Sequence, residues 1–405
     1  MDLRFGESVK SESARLEAQG VDQNQIAGIL CKKDPHGYNY GIGIMLDGAG
    51  KPMATSSTLL EYVAKEVQES KAGNYMNSAS LMEELTRAVL RWQRIPENCW
   101  KQFKLVLPSD GGTGAVQTAV MVALLLHPDI NTLGIEELGW PAYAAIAKSA
   151  RVKHREFPMH CVMKEEAVLP IYQSGPINTT GSVQPADIIR ERAETAAQLK
   201  VPVVLDRAYS GFEFARLQQS RSYDEVMKKS FELQLKPFMD EGAFFLLAIS
   251  HTKAFVTFSL RPCGFLLAYI PDASKEKEIS LALTSAIRAR GSSFEHPITR
   301  AFAKAFTRDQ ARLEAEHMAS LERVAASENR WALLSKGSPM ESLFTDKYAG
   351  LFRNPLCKPE APLHIYNEHM YPVFSKDRCR LNVTGIPDDD ALAKKHVDVF
   401  SRFCH

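Results

Sequence analysis

Hydrophobic residues along this chain follow two alternating rhythms. Apolar runs at 201–205, 244–249 and 264–270 predict strands buried on both faces, and further strands are predicted at 103–107, 132–136, 152–157 and 167–173. Helical spacing marks 115–126, 141–150 and 185–199 between them, and also 57–69, where Leu59, Leu60, Val63 and Val67 share one face. A further helix over 80–92 opens with Ser80 and, three residues later, Glu83, the pattern of a capping box. Buried strands separated by helices predict an α/β fold with a mostly parallel sheet covered on both sides.

Both ends of the chain have a different character. Residues 1–37 are polar, with short helices predicted over 11–20 and 23–31, followed by an extended segment at 38–44 and a turn-rich stretch at 47–52. Beyond 271 the pattern predicts helices at 275–290 and, as one long element, 297–334. A strand pair at 371–374 and 380–383 precedes a closing helix at 388–403. A central sheet domain with a smaller unit built from both chain ends is the expected organisation: 1–54 and 319–405 for the small domain with its N-terminal arm, and 55–318 for the large one.

Composition narrows the function. The 405 residues carry 49 basic and 48 acidic side chains, so no broad electrostatic footprint for nucleic acid exists. No apolar stretch approaches the roughly 20 residues that span a bilayer, and the N-terminus lacks an apolar signal core, so a cytoplasmic protein without membrane partners is expected. The seven cysteines are scattered, without a Cys-x-x-Cys pair, and indicate neither a disulfide framework nor a metal.

Candidate chemistry gathers where the predicted strands end, the place at which open α/β sheets bind ligands. After 103–107 comes Asp110-Gly111-Gly112-Thr113-Gly114 at a helix start, where freed N–H groups and the helix dipole suit a phosphate. A P-loop would need Gly-Lys-Ser/Thr after the turn, and Ala115-Val116 follow instead. After 201–205 come Asp206 and Tyr209; after 244–249 come Ser250-His251-Thr252-Lys253 and Arg261. Each has a bland alternative: a Gly-rich turn, a helix-capping aspartate, a solvated lysine, a surface arginine. Jointly, a phosphate cradle, a carboxylate, a phenol, a lysine and an arginine meet the needs of pyridoxal 5′-phosphate. The lysine would form a Schiff base with its aldehyde, the carboxylate would keep its ring nitrogen protonated, and the arginine would grip its phosphate.

At this point the chain resembles the class I pyridoxal-phosphate aminotransferases of fold type I, and among them the aspartate and aromatic amino-acid aminotransferases. Seven blocks occur in the family's order, from Asn39 nearly to the last helix. They are Asn39-Tyr40-Gly41-Ile42-Gly43, Gly112-Thr113-Gly114-Ala115, Trp140-Pro141, Asn178-Thr179-Thr180-Gly181, Asp206-Arg207-Ala208-Tyr209-Ser210-Gly211-Phe212, Ser250-His251-Thr252-Lys253 with Arg261-Pro262-Cys263-Gly264, and Arg380-Leu381-Asn382-Val383-Thr384-Gly385. The resemblance implies a large domain with a mostly parallel seven-stranded sheet flanked by helices and a small α+β domain. Lys253 would be the cofactor lysine and proton carrier, Asp206 the partner of the ring nitrogen, and Asn178 and Tyr209 the partners of the ring oxygen. Gly112, Thr113, Ser250 and Arg261, with Tyr75 from a partner subunit, would hold the phosphate, and Trp140 would stack on the ring. Arg380 would clamp the substrate α-carboxylate, Gly43 would lie in the segment closing over substrate, and Arg288 would meet a distal carboxylate across a homodimer interface, with Arg290 as its rival.

Several positions depart from the family pattern. Thr179 replaces a proline, Leu138 stands where a proline precedes the tryptophan, and Tyr143 and Ile177 replace histidines that support the aspartate. Residues 215–241 read as polar material inserted near the entrance. The expected activity is transfer of an amino group between a dicarboxylic or aromatic amino acid and a 2-oxo acid in two half-reactions. A lyase or decarboxylase on the same fold is disfavoured by the two candidate substrate arginines. A Ser250/Lys253 acyl enzyme would need Lys-Thr-Gly and Ser-Asp-Asn partners, which are absent. A regulator would need an added DNA-binding region.

Overall fold

The computed structural model describes residues 2–69, 78–260, 264–290 and 296–405. The chain opens with helices α1 (Arg4–Ala18) and α2 (Gln23–Lys33), followed by α3 (Ser57–Glu69) and α4 (Ser78–Trp92). The alternating middle follows in the order β1 (Phe103–Ser109), α5 (Gly111–Leu126), β2 (Thr132–Glu136), α6 (Ala142–Ser149), β3 (Lys153–Phe157) and β4 (Val168–Gln173). It continues with α7 (Ala186–Leu199), β5 (Val203–Arg207), α8 (Tyr223–Gln234), α9 (Lys236–Asp240), β6 (Phe245–Ser250) and β7 (Gly264–Tyr269). Helices α10 (Glu276–Arg290), α11 (Pro297–Arg308) and α12 (Gln310–Leu334) come next. The chain closes with β8 (Phe352–Arg353), α13 (Ala361–Asn367), β9 (Val373–Ser375), β10 (Arg378–Asn382) and α14 (Asp390–Phe403).

Two compact units result. One comprises residues 54–175 and 184–320; the other comprises 1–53, 176–183 and 321–405. The larger unit carries a seven-stranded sheet in the order β1-β7-β6-β5-β4-β2-β3. Strands β2 to β6 run parallel to one another, and β7 is antiparallel to both β1 and β6. Every residue of β4, β5, β6 and β7 is buried, whereas β3, at the sheet edge, is charged and exposed from Lys153 to Glu156. That contrast has a physical reason: central strands covered by helices favour apolar residues, with polar ones confined to their carboxyl ends, and an edge strand is protected from stray pairing by charge. Two apolar cores fill the sheet faces, one around Phe245, Phe255 and Phe302, the other around Val116, Ala119 and Leu246 on the α5 side. The smaller unit has its own core around Tyr40, Trp331, Leu381 and Phe400, and a three-stranded antiparallel sheet β8-β10-β9.

Four expectations need correction. Helix α4 runs from Ser78, so Ser80 lies inside it rather than at the position before its start, and Glu83 pairs with Arg87. The glycines at 111–114 form the first turn of α5 rather than a turn preceding it. The single helix predicted over 297–334 is broken at Asp309, where φ −130° and ψ 36° leave the helical region and the carboxylate accepts a 2.7 Å hydrogen bond from Tyr62. Residues 215–241 are not loose polar material: α8 and α9 bury Val226, Met227, Phe231 and Phe238, and Ser230 of α8 accepts from the buried Arg207 at 2.7 Å.

Candidate active site

The larger unit carries Asp206, Tyr209, Ser250 and Lys253 at and after the carboxyl ends of β5 and β6. Lys253 lies in a helical turn just after β6, made by hydrogen bonds from Phe255 N–H to His251 C=O (3.0 Å) and from Thr257 N–H to Thr252 C=O (3.1 Å). The second bond, with Val256 at φ +52°, has the form of a Schellman closure. A β-branched residue in the left-handed region costs about 1–2 kcal/mol and persists only where its surroundings impose it. His251 is fully buried, stacks on Phe302 at 5.1 Å between centroids, and is held neutral by burial, which drives its pKa down to about 3. The turn is thus anchored in the core by its histidine. Lys253, half-buried, carries Nζ 4.6 Å from the Phe258 ring centre and 5.8 Å from that of Tyr209.

Asp206 is the next-to-last residue of β5, paired in register with Gln173 of β4 and Ala248 of β6. Its Oδ2 accepts a 2.7 Å hydrogen bond from the Tyr143 hydroxyl, while its buried Oδ1 has no hydrogen-bond partner. Burial pushes this carboxyl up to about 6, against the opposing pull of the Tyr143 hydroxyl, the Ala208 N–H and the Lys253 charge. Tyr143, on α6, is itself buried, and burial with the neighbouring carboxylate raises its pKa so that it remains a donor. Trp140 meets Tyr143 edge to face, 5.3 Å between centroids. So the residue that stands in place of a histidine does hold the aspartate, through a hydroxyl.

The glycine-rich start of α5 faces the end of β6. A Cβ at Gly112 would lie 3.4 Å from Cβ of Ser250, and Gly111 adopts φ +59°. Asp110, at the cap position of α5, makes no side-chain cap hydrogen bond. The Ser250 hydroxyl lies 2.7 Å from that of Thr252 and accepts from its N–H at 3.2 Å, which fixes the serine at the mouth of the cradle. Thr113 follows on the same helical turn, half-buried.

The smaller unit holds Gly43, Asn178 and Arg380. Asn178 sits in a turn that stands without proline, closed by hydrogen bonds from Gly181 N–H to Ile177 C=O (2.8 Å) and from Ile177 N–H to Ser182 C=O (2.9 Å). Glycine is obligatory at 181: φ is +73° and a Cβ would approach the Phe352 carbonyl to 2.4 Å. Leu138 has φ +55°, so the backbone there has moved away from anything a proline could adopt. Arg380 projects from β10, donates to Asn24 Oδ1 at 2.5 Å and to the Gly41 carbonyl at 3.0 Å, and lies 4.5 Å over the Phe352 ring. Arg288 is exposed on α10. Tyr75 and Arg261 lie outside the described residues, as does the Gly291–Glu295 stretch used to weigh Arg290 against Arg288.

Sequence reasoning did not find the anchoring role of His251, nor Glu316, whose carboxylate accepts from Ser57 Oγ (3.0 Å), Thr58 Oγ1 (2.9 Å) and Thr58 N–H (3.0 Å) and so caps α3 from 258 residues away. No local signal marks such a long-range cap.

Residues 39–330 match the family model described as aminotransferase class I and II. Among the curated proteins, no sequence matches the chain. Similar solved structures include an aromatic amino acid aminotransferase from Burkholderia cenocepacia, with TM-score 0.77 and 17% identity over 94% of this chain and 96% of that one. An aromatic-amino-acid aminotransferase from Burkholderia pseudomallei, covalently bound to pyridoxal phosphate, gives TM-score 0.75 and 15% identity over 94% and 96%. The aspartate aminotransferase of Plasmodium falciparum gives 0.74 and 17% over 94% and 97%. At these identities the likeness is one of fold.

Proposed function

Since the chain belongs to the class I and II aminotransferases, we propose that it is a pyridoxal 5′-phosphate-dependent transaminase acting between a dicarboxylic or aromatic amino acid and a 2-oxo acid. The observation that carries this is Asp206: a buried carboxylate with one oxygen tied to Tyr143 and the other unpartnered. Stranding an acceptor in the interior costs about 1–3 kcal/mol, so the site is built for a cationic N–H donor that arrives with a ligand. The protonated ring nitrogen of pyridoxal phosphate is such a donor, and the cradle that a Cβ at Gly112 would begin to fill suits its phosphate. The residues present fit the group.

When bound, the cofactor supplies an aldehyde that links to amines and a ring that accepts the electron pair left at Cα. Within this reading the chain does the rest. Lys253 Nζ would be the amine that holds the group's aldehyde and would carry the proton at Cα of the substrate, and the Asp206 carboxylate would pair with the ring nitrogen and orient the ring. Tyr209 and Asn178 would hold the ring oxygen, Trp140 would stack on the ring, and Gly112, Thr113, Ser250, Arg261 and the partner subunit's Tyr75 would hold the phosphate. Arg380 takes the substrate α-carboxylate in a planar, always-charged fork already oriented by Asn24, Gly41 and Phe352. Gly43 lies in the segment that closes over the substrate. Arg288 takes the distal carboxylate across a homodimer interface. A cytoplasmic homodimer belongs to the same reading, supported by the family alone.

The test is spectroscopic. Purified protein mixed with pyridoxal phosphate should turn yellow, and borohydride reduction should fix the cofactor mass on the peptide containing Lys253. Glutamate, aspartate, tyrosine or phenylalanine should each be tried for bleaching of the yellow band with release of the matching 2-oxo acid. No uptake of the cofactor, or attachment at another lysine, would sink the reading, and release of carbon dioxide or ammonia without amino transfer would make the protein a lyase.

A further inference from the structure

The smaller unit contains a cluster for which transamination has no use. The Sγ atoms of Cys357, Cys379 and Cys404 all lie within 4.8 Å of one another, with 3.3 Å between Cys357 and Cys404 and 3.9 Å between Cys379 and Cys404. They arrive from three separate segments: the stretch after β8, strand β10 and the residue following α14. Cys357 and Cys404 face each other as an antiparallel pair. Their neighbours Leu356 and His405 exchange both backbone hydrogen bonds, each 2.9 Å. Alternation then makes Cys357 and Cys404 a non-hydrogen-bonded pair, the kind whose Cα atoms sit about 4.5 Å apart with side chains closest. That separation lies at the short end of the roughly 4.4–6.8 Å range that a disulfide bridges. The third sulfur is held in place by hydrogen bonds from Cys379 N–H to the Pro355 carbonyl (3.1 Å) and from Cys357 N–H to the Asp377 carbonyl (2.7 Å).

We propose that Cys357, Cys379 and Cys404 form a redox-active thiol site, in which a hydroperoxide oxidises Cys357 and Cys404 to a disulfide and Cys379 serves as the exchanging third thiol. Cys357 is the entry point, because it is partly exposed while Cys379 and Cys404 are buried. Hydrogen bonds from the Cys379 and Cys404 thiols draw the Cys357 thiol down to about 4, whereas burial drives Cys31 up to about 11 and raises Cys161. The Cys357 thiolate attacks one peroxide oxygen; an S–O bond forms, the O–O bond breaks, and the other oxygen leaves as hydroxide, which takes up the proton that Cys357 released. The Cys404 sulfur then attacks the Cys357 sulfur. An S–S bond forms, the S–O bond breaks, and the oxygen leaves as water with the Cys404 proton, so two thiols lose two electrons and the peroxide gains them. A disulfide across closely spaced strands is strained, and Cys379, 3.9 Å from Cys404, can exchange with it: a Cys379–Cys404 S–S bond forms, the Cys357–Cys404 bond breaks and Cys357 leaves as the thiolate, while net reduction takes its two electrons from an external thiol. A tetrahedral zinc site fits less well, because the described group offers three ligand atoms.

The experiment is non-reducing peptide mapping of the full-length holoenzyme during titration with hydrogen peroxide. The expected result is a Cys357–Cys404 cross-linked peptide that appears before Cys31, Cys99 or Cys161 is modified and disappears with dithiothreitol. Cys379→Ser should keep the Cys357–Cys404 cross-link and remove the exchanged Cys379–Cys404 form that the wild type shows on standing. Cys357→Ser should slow thiol loss in the cluster by about tenfold or more. Earlier oxidation of Cys31, Cys99 or Cys161 with the cluster still reduced would overturn the proposal. So would a stoichiometric thiophilic metal whose removal is needed before the cluster reacts. The wild-type map decides even if a variant fails to fold, and it needs no amino-acid substrate.

Discussion

Asp206 shows what a functional site costs at the scale of one residue. Its carboxyl, ordinarily at 3.8, is raised to about 6, with burial the largest cause. A raised acid stabilises the fold fully below the unfolded value and loses that contribution as pH rises through the folded one. For the cofactor-free chain the loss therefore falls between about pH 4 and pH 6, and at neutral pH the buried charge costs on the order of 2–3 kcal/mol. Asp206→Asn keeps an acceptor for Tyr143 and removes that charge. The cofactor-free variant should resist urea better than wild type at pH 7.5 by about that amount, with the advantage shrinking toward zero near pH 4, while transamination is lost. Equal midpoints at both pH values would show that Asp206 is not the strained group described here.

At the scale of elements, the parts legible in the sequence were those decided locally. Strands β4 to β7 follow from apolar runs, and the family blocks named the residues that end β5 and β6; α3 was legible as a helix but not in its face, since Leu60 and Val67 are exposed while Thr58, Tyr62 and Glu66 are buried beside Leu59. What stayed hidden was decided at a distance. No glycine or proline announces the break between α11 and α12; Tyr62 grips Asp309 from another helix. The cap of α3 comes from Glu316, and the packing of α8 and α9 from a buried arginine that a reading of 215–241 as surface could not anticipate. Tyr143 was visible as a departure, but only the fold shows its hydroxyl on Asp206. The β2–α6 loop makes this testable. Leu138 at φ +55° cannot become the proline that relatives carry without rebuilding the turn closed by Gly139 N–H to Glu136 C=O at 3.0 Å. Leu138→Pro should therefore destabilise the protein by more than about 1 kcal/mol, read as a lower melting temperature, and should loosen Trp140. A neutral or stabilising effect would mean that the loop takes up the relatives' conformation.

Across the whole molecule the proposed chemistry divides between two units with separate cores. The residues proposed to take the aldehyde, ring nitrogen and phosphate belong to the unit containing the seven-stranded sheet, whereas Arg380 and Asn178 belong to the other. The smaller unit also carries the most deeply buried ion pair described in it, Arg353 with Glu328 at 2.6 Å, both side chains fully buried. Arg353 also donates to the carbonyls of Leu343 (2.7 Å) and Phe352 (2.8 Å), so the pair ties α12 to β8 and to the segment before it. Glu328→Ala leaves a guanidinium in the interior without its counter-charge, a loss of about 3–5 kcal/mol. If each unit stands on its own core, hydrogen exchange should rise sharply in 321–405 and in α1 and α2 while β4, β5 and β6 keep wild-type protection. Cofactor attachment at Lys253 should then survive in Glu328→Ala while turnover of amino-acid substrate falls, because the group proposed to clamp the α-carboxylate sits on β10 in the loosened unit. Exchange rising equally in both units, or cofactor uptake lost in step with turnover, would show that the binding of cofactor and of substrate rests on one cooperative body.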